Sequence, residues 1–80
     1  MGLKLVFLGR LADVAGVGEQ VLPLVASLGE VLAVLAPELA IALSDERIRI
    51  AVNGALISRD ASPSLADGDE IAFLPPVSGG

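Results

Sequence analysis

Strand-like runs of apolar residues alternate with one helical pattern along this chain, and polar or glycine-rich breaks separate them. Residues 4–9 (KLVFLG) and 19–24 (EQVLPL) are rich in residues that favour strands, so they predict the first two strands. Between them, residues 10–18 contain two glycines and predict a loop with room for a helical turn. Pro23 has no N–H to donate, so we expect the second strand at a sheet edge.

A capping box marks the start of the one clear helix. Ser27 is the expected N-cap and Glu30 follows three residues later. Apolar residues then recur at helical spacing, at Leu28, Val31, Leu32 and Leu35. Pro37 should end or kink this helix, because its ring clashes with the preceding turn. Residues 38–43 (ELAIAL) predict a second helical piece.

The strongest local signal is a β-hairpin in residues 47–58 (RIRIAVNGALIS). Two strand-like runs flank Asn53-Gly54, a pair that favours the tight type I′ turn. Residues 60–69 are turn-rich, and residues 70–74 (EIAFL) predict a last strand. This order of elements predicts the α+β class, with one main helix across one face of a small sheet of about five strands.

Strand alternation predicts which residues occupy the sheet face that the helix leaves open. We expect Leu5, Phe7, Ile48, Ile50, Val52, Ile71 and Phe73 on the helix side. The open side should carry Lys4, Val6, Leu8, Arg47, Arg49, Ala51, Leu56, Glu70, Ala72 and Leu74, with Lys4, Arg49 and Glu70 at one level. If the first and last strands run parallel and adjacent, Leu8 and Leu74 meet in an apolar patch. That patch is either a docking site or an ordinary scatter of surface leucines.

Composition narrows the function classes. Eighty residues predict one domain over residues 1–80, and the chain has no cysteine and no histidine. It therefore lacks the commonest general base and the commonest metal ligands, so we expect no bound metal and no independent catalytic residue. The net charge of −5 disfavours nucleic acid, and acidic residues interrupt every apolar run, which argues against a membrane segment. A cysteine-free chain fits the reducing cytoplasm.

Residues 75–80 (PPVSGG) predict a projecting tail. Pro75 and Pro76 cannot continue the strand hydrogen bonds and favour a stiff extended form. Val77 and Ser78 then taper to Gly79 and Gly80, which have no side chain to obstruct entry into a narrow channel. Fully extended, the tail would reach about 20 Å. An ATP-dependent enzyme could adenylate a carboxylate on Gly80, and attack by sulfur would then leave a nucleophilic thiocarboxylate.

The chain resembles the MoaD family, the ubiquitin-like small subunits of molybdopterin synthase, nearly from end to end. The most specific stretch is LADGDEIAFLPPVSGG at residues 65–80, and AVNG at 51–54 and LKLVFLGRLADVAG at 3–16 also match the family layout. The resemblance implies a β-grasp fold whose first and last strands are parallel neighbours at the sheet centre. Ala12 stands where some members carry an arginine, so we expect the polar contact of that arginine to be missing here.

The resemblance also implies partners and chemistry. An adenylating enzyme of the MoeB type would use ATP to activate Gly80, and covalent sulfur would follow as a thiocarboxylate. The tail would enter the large subunit, MoaE, and donate sulfur to precursor Z, cyclic pyranopterin monophosphate, to form the molybdopterin dithiolene. Two large subunits would pair, each with one small subunit, so the chain is an enzyme only within this heterotetramer. Family interface positions align with Leu8, Leu56 and Leu74.

Three alternatives stay open. A sulfur carrier for another pathway, such as thiazole formation by ThiS, would share the fold, although such chains are typically shorter and lack the PPVSGG ending. A protein modifier would join Gly80 to lysines through isopeptide bonds. A plain interaction module would carry the tail without using it.

Overall fold

A computed structural model describes residues 2–25, 27–58 and 64–76. In this part of the chain, five strands form one sheet: β1 (Leu3–Phe7), β2 (Glu19–Leu22), β3 (Arg49–Val52), β4 (Ala55–Ile57) and β5 (Glu70–Leu74). Three helices accompany them: α1 (Arg10–Ala15), α2 (Leu28–Val34) and α3 (Pro37–Leu43). This α+β order confirms the predicted class.

The sheet has the order β2-β1-β5-β3-β4, so the last strand is the central one. β5 pairs in parallel with β1 and antiparallel with β3, while β2 and β4 are the edges. Pro23 follows directly after edge strand β2, as its missing N–H requires. The parallel pairing of the first and last strands confirms the expectation on which the Leu8–Leu74 patch depends.

The helices begin and end where the sequence signals predict. The hydroxyl oxygen of Ser27 accepts a hydrogen bond from the Glu30 amide at 3.3 Å, which caps α2. The chain becomes extended at Leu35, and Pro37 then occupies the first turn of α3, where a missing N–H costs nothing. The predicted helical turn in residues 10–18 is α1, and it ends at Gly16 with a φ of 80°.

The β3–β4 hairpin turns at Asn53 and Gly54, whose φ values are 50° and 85°. Two consecutive positive φ values fit the predicted type I′ turn. β3 begins at Arg49, two residues later than the sequence pattern suggests. The delay has a local cause, because the Asp45 carboxylate accepts the Arg47 amide at 2.9 Å and holds these residues in a turn.

The core lies between the sheet and the three helices. The rings of Phe7 and Phe73, which are register partners, stack with centroids 5.7 Å apart. No buried polar side chain is found in the described part of the chain. The buried cluster combines the predicted helix-side strand residues with apolar residues from each helix: Leu3, Leu5, Phe7, Leu11, Leu22, Val31, Leu35, Leu39, Leu43, Ile48, Ile50, Ile71 and Phe73.

Two expectations about the other face, here called the outer face, need correction. Arg49 does not lie level with Lys4 and Glu70; it opposes Leu74, at the other end of β5. The reason is that β3 is antiparallel to β5, so the start of one meets the end of the other. Ala51 lies on the outer face as predicted but is only 7 % exposed, since it lies on an inner strand between Leu56 and Ala72.

Candidate functional site

The root of the tail is built where β1 and β5 end side by side. The Leu8 amide donates a hydrogen bond to the Phe73 carbonyl at 3.2 Å, so the parallel ladder continues one residue beyond β1. β5 ends at Leu74, where Pro75 and Pro76 stop the ladder as predicted. Both prolines are half-buried, so the tail begins in contact with the folded domain.

Gly9 positions the first residue of the tail. A β-carbon at Gly9 would lie 3.0 Å from the Cγ atom of Pro75, closer than side chains normally approach. Gly9 also has φ 56° and ψ −136°, a conformation that residues with a β-carbon rarely adopt. Sequence reasoning missed this role of Gly9, and the only signal was a glycine directly after a predicted strand.

The three predicted interface leucines share the outer face, but only two of them are close to each other. Leu8 is 41 % exposed and lies beside half-buried Leu74. Leu56, which is 67 % exposed, lies on edge strand β4 and is one strand further from β5 than Ala51.

Small apolar residues join these leucines into one surface. Register pairs run across the sheet from Leu56 through Ala51 and Ala72 to Val6. We call the set Val6, Leu8, Ala51, Leu56, Ala72 and Leu74 the apolar band. An apolar surface of this kind suits a protein partner.

The two ends of the outer face carry different charged residues. At the end away from the tail, the Lys4 ammonium lies 3.4 Å from a Glu19 carboxylate oxygen and 3.8 Å from one of Glu70. At the tail end, Arg49 lies opposite Leu74 and is exposed. Beside it, Arg47 forms a two-bond ion pair with Asp45, at 2.9 and 3.2 Å. These bonds and the Arg47 amide lower the pKa of Asp45 to about 2.

The acidic motif at residues 67–70 stabilises the start of β5, at the far end from the tail. The Asp69 carboxylate accepts the Asn53 side-chain amide at 3.0 Å and the Ala66 amide at 2.8 Å, which lowers the pKa of Asp69. The Asn53 side-chain oxygen accepts the Glu70 amide at 2.9 Å. Asp67 accepts a hydrogen bond from the Gly2 amide. We call the Asn53–Asp69 contacts the hairpin latch.

Several predicted site residues are not described. Val77, Ser78, Gly79 and Gly80 lie outside the described residues, so the predictions about tail threading and Gly80 chemistry stay predictions. Ala12, where some family members carry arginine, is half-buried against the core. Within the described ranges, no acidic cluster is arranged to hold a metal ion, and no helix is long and apolar enough to cross a membrane.

A five-stranded mixed sheet with parallel terminal strands and helices on one face defines the ubiquitin-like β-grasp class. Within this class, the chain belongs to the ThiS family, whose model matches residues 5–80. It is 35 % identical to the molybdopterin synthase sulfur carrier subunit of Escherichia coli K12, over 98 % of this chain and 99 % of that protein.

Solved structures of relatives share the fold over nearly the whole chain. The small archaeal modifier protein 1 from Methanosarcina acetivorans superposes with a TM-score of 0.80 and 32 % identity, covering 98 % of this chain and 95 % of that one. A chain of the protein-protein complex of subunits 1 and 2 of the molybdopterin-converting factor from Helicobacter pylori 26695 gives a TM-score of 0.71 and 29 % identity, with both chains fully covered. These likenesses confirm the β-grasp prediction.

Proposed function

We propose that this chain is the sulfur carrier subunit of a molybdopterin synthase. The observation that carries the proposal is the continuous path from the central strand β5, through Pro75 packed on Gly9, into a tail that begins beside exposed Leu8. The 35 % identity to a named sulfur carrier subunit and the family match through residue 80 support it.

The proposed chemistry takes place at Gly80. In an adenylating enzyme of the MoeB type, a carboxylate oxygen of Gly80 attacks the α-phosphorus of ATP, and pyrophosphate leaves. Sulfur at the oxidation level of sulfide, delivered by a donor, then attacks the acyl carbon of the adenylate, AMP leaves, and a thiocarboxylate remains. The thiocarboxylate sulfur attacks a carbon of precursor Z, and a carbon–oxygen bond of that carbon breaks with the oxygen as the leaving group. Water then hydrolyses the acyl–sulfur bond, which leaves the sulfur on the pterin and returns Gly80 to a carboxylate. Two such transfers, from two loaded chains, supply the two sulfurs of the dithiolene.

The folded part of the chain serves to present this group. We propose that the apolar band docks on the large subunit, MoaE, and that the tail enters the active site there. The catalytic side chains then belong to the large subunit, and this chain acts as a reloadable cosubstrate. The complex of molybdopterin-converting factor subunits 1 and 2 from Helicobacter pylori supports a partner of this kind.

Reconstitution with the adenylating enzyme, a sulfur donor, the large subunit and precursor Z tests the proposal. Intact mass of the loaded chain should show the exchange of one oxygen for sulfur, and molybdopterin should form. A chain that lacks Gly80 should unfold at the same temperature as the full chain and form no product. Substantial synthase turnover by the truncated chain would contradict the proposed role of Gly80.

A second candidate is a protein modifier, which the match to the small archaeal modifier protein 1 favours. In that role the adenylated Gly80 would be attacked by a lysine amine and form an isopeptide bond. The same intact-mass experiment separates the two: covalent conjugates of higher mass indicate a modifier, and the oxygen-to-sulfur exchange indicates a carrier. A carrier for another pathway would gain sulfur but fail to support synthase turnover with precursor Z.

A further inference from the structure

Arg49 is a cation at the root of the tail for which the described part of the chain supplies no partner. It opposes Leu74 in the β3–β5 register and projects from the outer face. The two other cations near the sheet are compensated, because Lys4 lies near Glu19 and Glu70 and Arg47 is bonded to Asp45. Arg49 is therefore the described cation on this face that is left for an external contact.

A partner that covers Leu8 and Leu74 must also approach Arg49, since Arg49 and Leu74 are directly opposite on neighbouring strands. Removing a guanidinium from water is costly unless a hydrogen-bonded anion or a set of acceptors replaces the water. A purely apolar covering surface would therefore bind poorly. A carboxylate suits the site best, because it can accept two parallel N–H bonds from arginine.

We propose that the large subunit places a carboxylate opposite Arg49, beside the entrance of its tail channel, and that this pair fixes the orientation of docking. The inference rests on the proposed function and specifies its partner surface. Arg49 is a positioning and specificity residue here, because it lies at the tail root and Gly80 is six residues beyond Leu74.

The charge pattern of the outer face strengthens this assignment. The end away from the tail carries Glu19 and Glu70 around the single cation Lys4, whereas the tail end carries Arg49. A partner carboxylate that pairs with Arg49 would be repelled by Glu19 and Glu70 if the docked chain were reversed. Attraction at one end and repulsion at the other would thus direct the tail toward the channel.

Binding of full-length variants to the purified large subunit of the same organism tests the proposal. Arg49→Met should raise the dissociation constant about tenfold to a hundredfold, which is the range expected for the loss of a hydrogen bond to a charged group. Arg49→Glu should weaken it further through repulsion, and Arg49→Lys should restore part of the affinity because it keeps the charge without the planar fork. Raising the salt concentration should weaken the wild type more than Arg49→Met.

Arg47→Met is the matched control, since it removes an arginine two residues away that is already bonded to Asp45. It should bind the large subunit nearly as the wild type does, and thermal unfolding of each variant establishes that the fold is intact. If Arg49→Met binds as tightly as the wild type with the same salt dependence, the inference is overturned while the proposed function stands. If the wild type itself fails to bind the large subunit, both fall.

Discussion

Pro75 lies against Gly9, so close that a β-carbon at residue 9 would be 3.0 Å from the Pro75 Cγ atom. This contact joins the first residue of the tail to the junction between β1 and α1. Because the proline ring also restricts its own backbone, the direction of the chain at Pro75 is constrained from both sides of the contact.

We predict that Gly9→Ala destabilises the domain by about 1–3 kcal/mol, because it combines an unfavourable backbone conformation with the close approach of Pro75. Gly16→Ala is the matched control: Gly16 also has a positive φ, of 80°, but a β-carbon there would meet nothing within 4 Å. Its cost should be smaller. Urea unfolding of both variants measures the difference, and equal losses would mean that neither the ψ of −136° at Gly9 nor the Pro75 contact adds to the cost.

Leu74→Asp should weaken binding to the large subunit by at least about a hundredfold, because it places a charge within the apolar band. Its effect on folding should be modest, about 1–2 kcal/mol, since Leu74 is only half-buried. Ile41→Asp, on the helical side at a residue 73 % exposed, should leave binding unchanged. Calorimetry measures the affinity of each variant for the large subunit. Equal affinities for Leu74→Asp and the wild type would exclude the apolar band as the docking surface.

Phe73→Ala should cost about 3–5 kcal/mol of folding free energy, because it removes one ring of the buried stacked pair with Phe7. Leu56→Ala, at a residue 67 % exposed, should change stability by less than about 0.5 kcal/mol. For binding to the large subunit we expect Leu56→Ala to cause a measurable loss without unfolding. Should Phe73→Ala fail to fold, Phe73→Leu tests the same contact with a smaller volume change.

Acid should destabilise the domain partly through the hairpin latch. The pKa of Asp69 is lowered in the folded state from its ordinary value of 3.8, so the unfolded chain binds this proton more readily. The contribution of Asp69 is complete above about pH 4 and is lost as the pH falls through the lowered folded pKa. Asp45 acts in the same direction, because its pKa is lowered to about 2 in the folded state.

Thermal unfolding between pH 6 and pH 2 measures this loss. Asp69→Asn should lower the midpoint at pH 6 and reduce the acid-dependent fall, because the variant has no carboxylate to protonate. Asp45→Asn should behave similarly through the Arg47 contact. A constant difference between Asp69→Asn and the wild type across the whole pH range would show that ionisation of Asp69 does not stabilise the fold.

Local signals in the sequence were sufficient to predict most of the fold. The Asn53-Gly54 pair, the Ser27 cap and Pro37 each act within a few residues, so the hairpin and the helix boundaries were predictable. Strand alternation also assigned the two faces of the sheet correctly, because each strand has one side in the core. The start of β3 was missed, since a side-chain contact of Asp45 delays it.

Features that depend on contacts between distant parts of the sequence were harder to predict. The level of Arg49 depends on the register between β3 and β5, which no local pattern specifies, and it was assigned to the wrong end of the sheet. The low exposure of Ala51 depends on its cross-strand neighbours rather than on its own position. The contact between Gly9 and Pro75 joins distant parts of the sequence, so a glycine at a strand end gave too little information.

The central position of β5 has a consequence for synthesis of the chain. Translation finishes β1 through β4 before residue 70 is made, and in the sheet order the pairs β1–β2 and β3–β4 are joined only through β5. A product interrupted before that point would expose two uncovered edges and could form neither the leucine pair nor the base of the tail. Because the proposed docking surface includes Leu74 of β5, a chain that ends before its final strand would lack that surface.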